Sequence, residues 1–304
     1  MKQYKTWFRI ADVSICMVTP APLTVEPAFQ AYLTEPQESD VTCVFSQAET
    51  FPEPHSGSVE VFSDGMHRIF WSEQGAQQYF YIPYLYARQP AQRSPDLYQA
   101  MGPLPQKQMR LYFRPSAAAY FATAFGCFNA AKIERLLLCK DKLILHASYI
   151  AWQGKAIAFT ANSGVGKSTQ AALWEKYRGA ELINGDRMAF GMDGGVMKAY
   201  GLPVAGSSGV FLNKTLPLGA VVLLGRGQES QAFRQRPGAA IRDLLQQVTV
   251  NRWDQRFMNV GCQTLSQMLA QVPVYTLLAT PDEAAVDCLA NILTKEGFGL
   301  GSMA

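Results

Sequence analysis

Short runs that are either alternating in apolar and polar residues or aromatic, at 6–10, 41–45, 58–62, 68–71 and 78–82, occupy the first third of the chain. Turn formers such as Pro52, Pro54, Gly57 and Gly65 separate them, so this part predicts an irregular, strand-rich scaffold. Pro103 and Pro105 punctuate the chain, and 108–113 reads as one more strand. From 116 to 138 the apolar residues Tyr120, Ala124, Cys127, Phe128, Ala131, Ile133 and Leu137 recur near helical spacing and predict one long connecting helix.

After residue 143 the texture becomes a dense alternation of strand and helix. Strands are expected at 143–152 and 156–160, joined by a turn at 153–155, and a helix then runs to about Lys176. Further strands fall at 181–184, 187–191 and 196–200. A Gly- and Ser-rich loop at 201–208 precedes a strand at 220–224, helices near 239–248 and 254–271, and a strand at 274–278. Thr280 as N-cap, Pro281 at N1 and Glu283 at N3 predict a last helix from 281 to about 295. The expected fold class is α/β, with a strand-rich α+β domain at 1–115, a connecting helix at 116–140 and an α/β domain at 141–304.

Composition narrows the function classes. With 304 residues, of which 48% are apolar and 17% charged, the chain can bury a core without staples, and disorder is excluded for most of it. A net charge of +3, evenly spread, gives neither a nucleic-acid surface nor a polybasic membrane surface. The six cysteines are far apart and read as reduced core thiols, with no zinc set. No secretory signal and no span of about 18 apolar residues is evident, so a cytoplasmic location is expected.

Chemistry concentrates in Ala161, Asn162, Ser163, Gly164, Val165, Gly166, Lys167, Ser168 and Thr169, which match a phosphate-binding loop with Ala in place of the first Gly. Gly164 and Gly166 let backbone N–H groups approach phosphate oxygens, and the following helix N-terminus adds partial positive charge. Lys167 is placed to reach the β and γ phosphates of a nucleotide, and the Ser168 hydroxyl to bind Mg²⁺. Asp186, at the end of the strand 18 residues after Ser168, is the candidate second metal ligand or the base for an attacking hydroxyl. His146 lies in an apolar strand just before the hairpin that leads to the loop.

Together these residues resemble the catalytic domain of HPr kinase/phosphorylase and its relatives, whose phosphate-loop core is shared with ATP-dependent phosphoenolpyruvate carboxykinase. The landmarks are Leu145 and His146, the run Gly164 to Thr169, Asn184 with Gly185, Asp186 and Arg187, and the loop from Gly201 to Gly209. They identify a divergent member with an HPr-kinase-like P-loop domain at 141–304. The resemblance implies that Asn162 to Thr169 hold ATP and Mg²⁺, that Asp186 activates the acceptor hydroxyl, and that His146 packs beside it. Two departures stand out. Gly185 replaces the first of the family's paired acids, and Lys198 falls where the family has a Glu.

The expected activity is transfer of the γ-phosphoryl group of ATP to a hydroxyl, of Ser or Thr in a peptide or small protein. A small-molecule alcohol kinase and an inactive nucleotide-binding regulatory protein are the alternatives. A homo-oligomer is compatible with the family.

Overall fold

The computed structural model describes residues 2–82, 94–204, 206 and 208–299. It divides into two compact units, one of Met1–Lys140 with Asn251–Phe257, the other of Asp141–Val250 with Met258–Ala304.

The first unit is built on one sheet of nine strands among the described residues: β1 (Tyr4–Ile10), β2 (Val13–Thr19), β3 (Leu33–Thr34), β4 (Val41–Gln47), β5 (Val59–Ser63), β6 (His67–Ser72), β7 (Gly75–Phe80), β8 (Leu97–Met101) and β9 (Gln108–Phe113), in the order β3-β1-β2-β4-β9-β8-β7-β6-β5. The central β2–β4 and β4–β9 pairs are parallel. β2 escapes a search for alternation because all seven of its residues are buried. Four short α-helices accompany the sheet among the described residues: α1 (Pro27–Gln30), α2 (Ala118–Phe121), α3 (Ala124–Ala131) and α4 (Ile133–Leu137). Phe8 of β1, Phe29 of α1 and Phe128 of α3 form one aromatic contact set, with Phe29 and Phe128 stacked 5.0 Å apart.

The expected single helix at 116–138 is therefore corrected to three helices with a tight turn, Pro115–Ala117, in front. Thr123 is extended and its hydroxyl accepts the N–H of Gly126, a side-chain cap that starts a new helix. Lys132 sits at φ 60° and breaks the chain again before α4. Helical spacing of apolar residues persists across both breaks, which is why periodicity alone reads through them.

In the second unit the strands are β10 (Leu143–Trp152), β11 (Lys155–Thr160), β12 (Glu181–Asn184), β13 (Arg187–Asp193), β14 (Val196–Gly201), β15 (Thr215–Arg226), β16 (Gln231–Arg234), β17 (Val248–Thr249) and β18 (Val274–Ala279). The helices are α5 (Lys167–Arg178), α6 (Pro237–Leu244), α7 (Gln255–Gln271), whose residues up to Phe257 are counted with the first unit, and α8 (Glu283–Lys295). Two long strands organise the sheet. β10 pairs with β13 over Leu143–His146 and with β11 over Ala147–Trp152, while β15 pairs with β14 near its start and with β11 and β18 further along. β11, β15 and β18 are mutually parallel, so their C-terminal ends share one edge, where an α/β sheet presents its binding loops.

α5 and α8 cover one face through a core that contains Trp152, Phe159, Trp174, Tyr275 and Leu289. Trp174 is fully buried and meets Trp152 edge to face at 5.0 Å. Gly179 ends α5 in the left-handed region, with N–H groups of Gly179 and Ala180 returning to Glu175 and Trp174.

Three further expectations are revised. The β10–β11 turn holds two residues, Gln153 and Gly154, both at positive φ, so Lys155 already pairs with Trp152. The last helix starts at Glu283, because the Asp282 carboxylate caps the Ala284 N–H and itself accepts the Thr280 hydroxyl at 2.7 Å. Cys262 is exposed on α7 rather than part of a core, whereas Cys16, Cys43 and Cys127 are buried. No helix among the described residues is long and apolar enough to cross a membrane.

Candidate functional site

Thr160 ends β11 fully buried, and its hydroxyl donates to the backbone carbonyl of His146 at 2.8 Å, so the strand that launches the loop is tied to the strand that carries the histidine. The loop then leaves the sheet edge. Gly164 and Gly166 have φ of 79° and 126°, conformations that L side chains adopt only with strain, and no atom crowds the place where a Cβ would stand. Gly166 is the N-cap of α5 and offers no side-chain oxygen, which leaves the first N–H groups of the helix to a ligand or water. Lys167 opens α5, with Ser168 and Thr169 exposed in its first turn. Asn162, Ser163 and Gly164 are exposed on the loop, and Val165 is half-buried.

The Lys167 ammonium donates back to the carbonyl of Ala161 at 3.0 Å. Burial pushes its pKa down, and the Asp186 charge opposes that shift. Lys167 also acts on His146. Burial is the main cause that holds the His146 pKa below the ordinary histidine value, and Lys167 and Arg187 add to it against the opposing pull of Asp186.

Asp186 stands in the turn between β12 and β13. Its Oδ1 lies 3.5 Å from His146 Nε2, and its Oδ2 lies 3.2 Å from Arg187 Nε. The backbone sets this placement. Ala147 N–H donates to the carbonyl of Asp186 at 3.0 Å, and the Ser148 hydroxyl donates to the carbonyl of Gly185 at 3.0 Å. Fully buried Asn184 shapes the turn, with its Oδ1 accepting the N–H groups of Asp186 and Arg187 and its Nδ2 donating to the carbonyls of Leu202 and Val204.

The loop from Gly201 to Gly209 thus comes against the acid. A Cβ on Gly206 would stand 2.7 Å from Asp186 Cβ, and one on Gly185 would stand 2.7 Å from Ser208 Cβ. Ala205 and Ser207 of this loop lie outside the described residues. Gly185 therefore has a packing reason of its own, because any acid here would collide with Ser208.

Lys198 is not brought to this cluster. It sits opposite Gly191 on β14, four residues along β13 from Arg187, and pairs with Asp193 at 2.5 Å. Arg187, Arg226, Asn184 and Gln247 join the site without having been singled out as site residues. Arg226, at the end of β15, donates to the carbonyl of Gly164 at 2.8 Å, and Gln247 donates to Asn162 Oδ1 at 3.0 Å. Arg187 and Asn184 flank Asp186 in the sequence, which is a local signal. Arg226 and Gln247 are 62 and 85 residues from their partners and carry none.

Among the described residues, Lys167 and Arg226 bond to carbonyls of the loop and Arg187 pairs with the Asp186 carboxylate, an arrangement that attracts an anion and keeps a proton acceptor beside it. Among the described residues no group of three or more His, Cys, Asp or Glu could hold a metal by itself. Mg²⁺ asks for less, one or two carboxylates with phosphate oxygens and water, and Ser168 with Asp186 fits that donor set.

No protein-family model and no curated protein matches the chain. Among solved structures, the HPr(Ser) kinase/phosphatase from Coxiella burnetii aligns with 51% of this chain and 99% of its own, at 12% identity and a TM-score of 0.31. A likeness at that level carries no argument about this chain.

Proposed function

We propose that the chain is an ATP-dependent phosphotransferase that moves the γ-phosphoryl group to a hydroxyl of a peptide or small protein. The observation that carries this reading is the convergence of Lys167, at the head of α5 behind the two positive-φ glycines, with Asp186 and its neighbours His146 and Arg187. Asn162 to Thr169 would hold the phosphates, with Lys167 neutralising charge that builds on the γ-phosphoryl oxygens. Ser168 and Asp186 would hold Mg²⁺, which when bound neutralises charge on the β and γ phosphates. Asp186 accepts the proton of the acceptor hydroxyl as its oxygen bonds to the γ phosphorus. The bond from that phosphorus to the bridging oxygen breaks, and ADP leaves.

The closeness of Gly206 to Asp186 supports an acceptor bound along the loop from Gly201 to Gly209, since a backbone without side chains leaves room for another backbone. A second reading, a nucleotide-binding regulatory protein without transfer activity, is favoured by Gly185, which removes a second acid from the turn. Incubation with labelled ATP, Mg²⁺ and candidate peptides, beside Lys167→Ala and Asp186→Asn, separates the readings. Label on a peptide that requires both residues is the expected result. Tight ATP binding without turnover selects the regulatory reading, and label on a small alcohol alone selects a small-molecule kinase.

A further inference from the structure

A cleft of about 360 Å³ opens directly beside the loop, between the C-terminal end of β15, Thr276 in the middle of β18, the strand β16 and the end of α6. It begins at Ala161 and Asn162, the residues that open the loop, so a molecule whose phosphates lie on the loop can extend into it without a gap. Its volume falls within the range of small-molecule sites. We infer that this cleft takes the adenine base of the nucleotide whose phosphates the loop holds, an inference that rests on the phosphate-binding reading above.

Three features argue for a base, and for adenine. Phe233 lines the cleft and leaves 48% of its surface exposed, a ready stacking platform. Gln235, Gln246 and Gln247 bring amides, which match the adjacent N7 acceptor and N6 donor of adenine, and the Asp243 carboxylate accepts only, as the adenine amino group requires. The O6 and N7 acceptors of guanine are read best by Arg or Lys, and neither type lines the cleft among the described residues. The polar groups are also held in place. Gln247 Nε2 donates to Asn162 Oδ1 at 3.0 Å, which couples the cleft to the loop, and Gln235 Nε2 donates to Thr276 Oγ1 at 2.5 Å.

Titrations of the full chain with Mg-ATP, Mg-GTP and Mg-tripolyphosphate, on wild type, Phe233→Ala, Asp243→Asn and Lys167→Ala, test the inference. Circular dichroism verifies that each variant is folded. Phe233→Ala is expected to weaken ATP by about 10-fold, the scale of one lost stacking contact, and to leave tripolyphosphate unchanged. Asp243→Asn should narrow the preference for ATP over GTP, and Lys167→Ala should weaken all three ligands. If neither Phe233→Ala nor Asp243→Asn changes ATP binding while Lys167→Ala weakens ATP and tripolyphosphate alike, the base cleft is wrong and the phosphate loop stands. Equal losses for ATP and tripolyphosphate in Phe233→Ala also overturn the cleft, and tighter GTP than ATP overturns adenine. If wild type binds neither ATP nor tripolyphosphate, both readings fall.

Discussion

His146 Nε2 lies 3.5 Å from Asp186 Oδ1, at the outer limit of a hydrogen bond, and the acid stands in the turn just before Arg187, the β13 residue paired with His146. On the proposed function the imidazole would orient the carboxylate. Replacement by Gln, which keeps a polar group of similar reach, is expected to lower kcat about 10-fold and leave KM for ATP within about 2-fold, because the phosphates are held elsewhere. A larger effect on KM than on kcat in steady-state assays would count against a positioning role for His146.

The same histidine predicts a pH dependence of stability. Burial first, then Lys167 and Arg187, hold its pKa below the ordinary value, so the unfolded chain binds a proton more readily than the folded one. Its contribution is intact above the unfolded value of about 6.5 and is lost as pH falls through the lower folded value. Thermal unfolding of wild type and His146→Gln at pH 7.5 and 5.5 should show the larger drop in wild type, and equal drops would refute the assignment.

Gly206→Ala tests the loop against the acid. The new Cβ would stand 2.7 Å from Asp186 Cβ, so the loop or the carboxylate must move. Displacements of about 1 Å at a reacting group cost on the order of 10²-fold in rate. We expect a fall in transfer of that order with ATP affinity retained, measured by single-turnover transfer and equilibrium binding; unchanged transfer would place the acceptor elsewhere.

The core of the second unit centres on Trp174. Trp174→Ala should cost about 3–5 kcal/mol in denaturant unfolding, as a large buried side chain leaves a cavity among Trp152 and Phe159. Trp174 Nε1 is buried without a hydrogen-bond partner among the described residues, so Trp174→Phe forfeits no hydrogen bond to them and should cost markedly less than the alanine variant. Similar costs for the two would refute the packing account.

Local patterns exposed the loop and most strands of the second unit because strand, glycine turn and helix follow one another within a few residues. The short strand β17 and the early end of α6 at Leu244 were not legible, since 245–249 keeps the apolar spacing of a helix while Val248 and Thr249 pair with β10. β16 shares that fate, four residues whose only signature is the partner strand β18. The acid at 186 was readable as a strand-end residue, whereas the cleft beside the loop was not. Its walls come from segments between Thr160 and Thr276, and nothing in the spacing of Phe233 or Asp243 announces that they face a loop some 70 residues earlier. The assignment of Asn251–Phe257 to the first unit is of the same kind, a long return that leaves no mark in periodicity.

Along one edge of β10 the register runs on from β13, with His146 opposite Arg187, to β12, with Tyr149 opposite Asn184, and between them the amide of Ala147 donates to the carbonyl of Asp186. Backbone, not rotamers, thus sets the spacing of histidine and acid. The exchange rate of a single proton, the Ala147 amide, is consequently a gauge of whether the pair is assembled. Slow exchange without nucleotide would mark a site built in advance, with little reorganisation left for the ligand to drive.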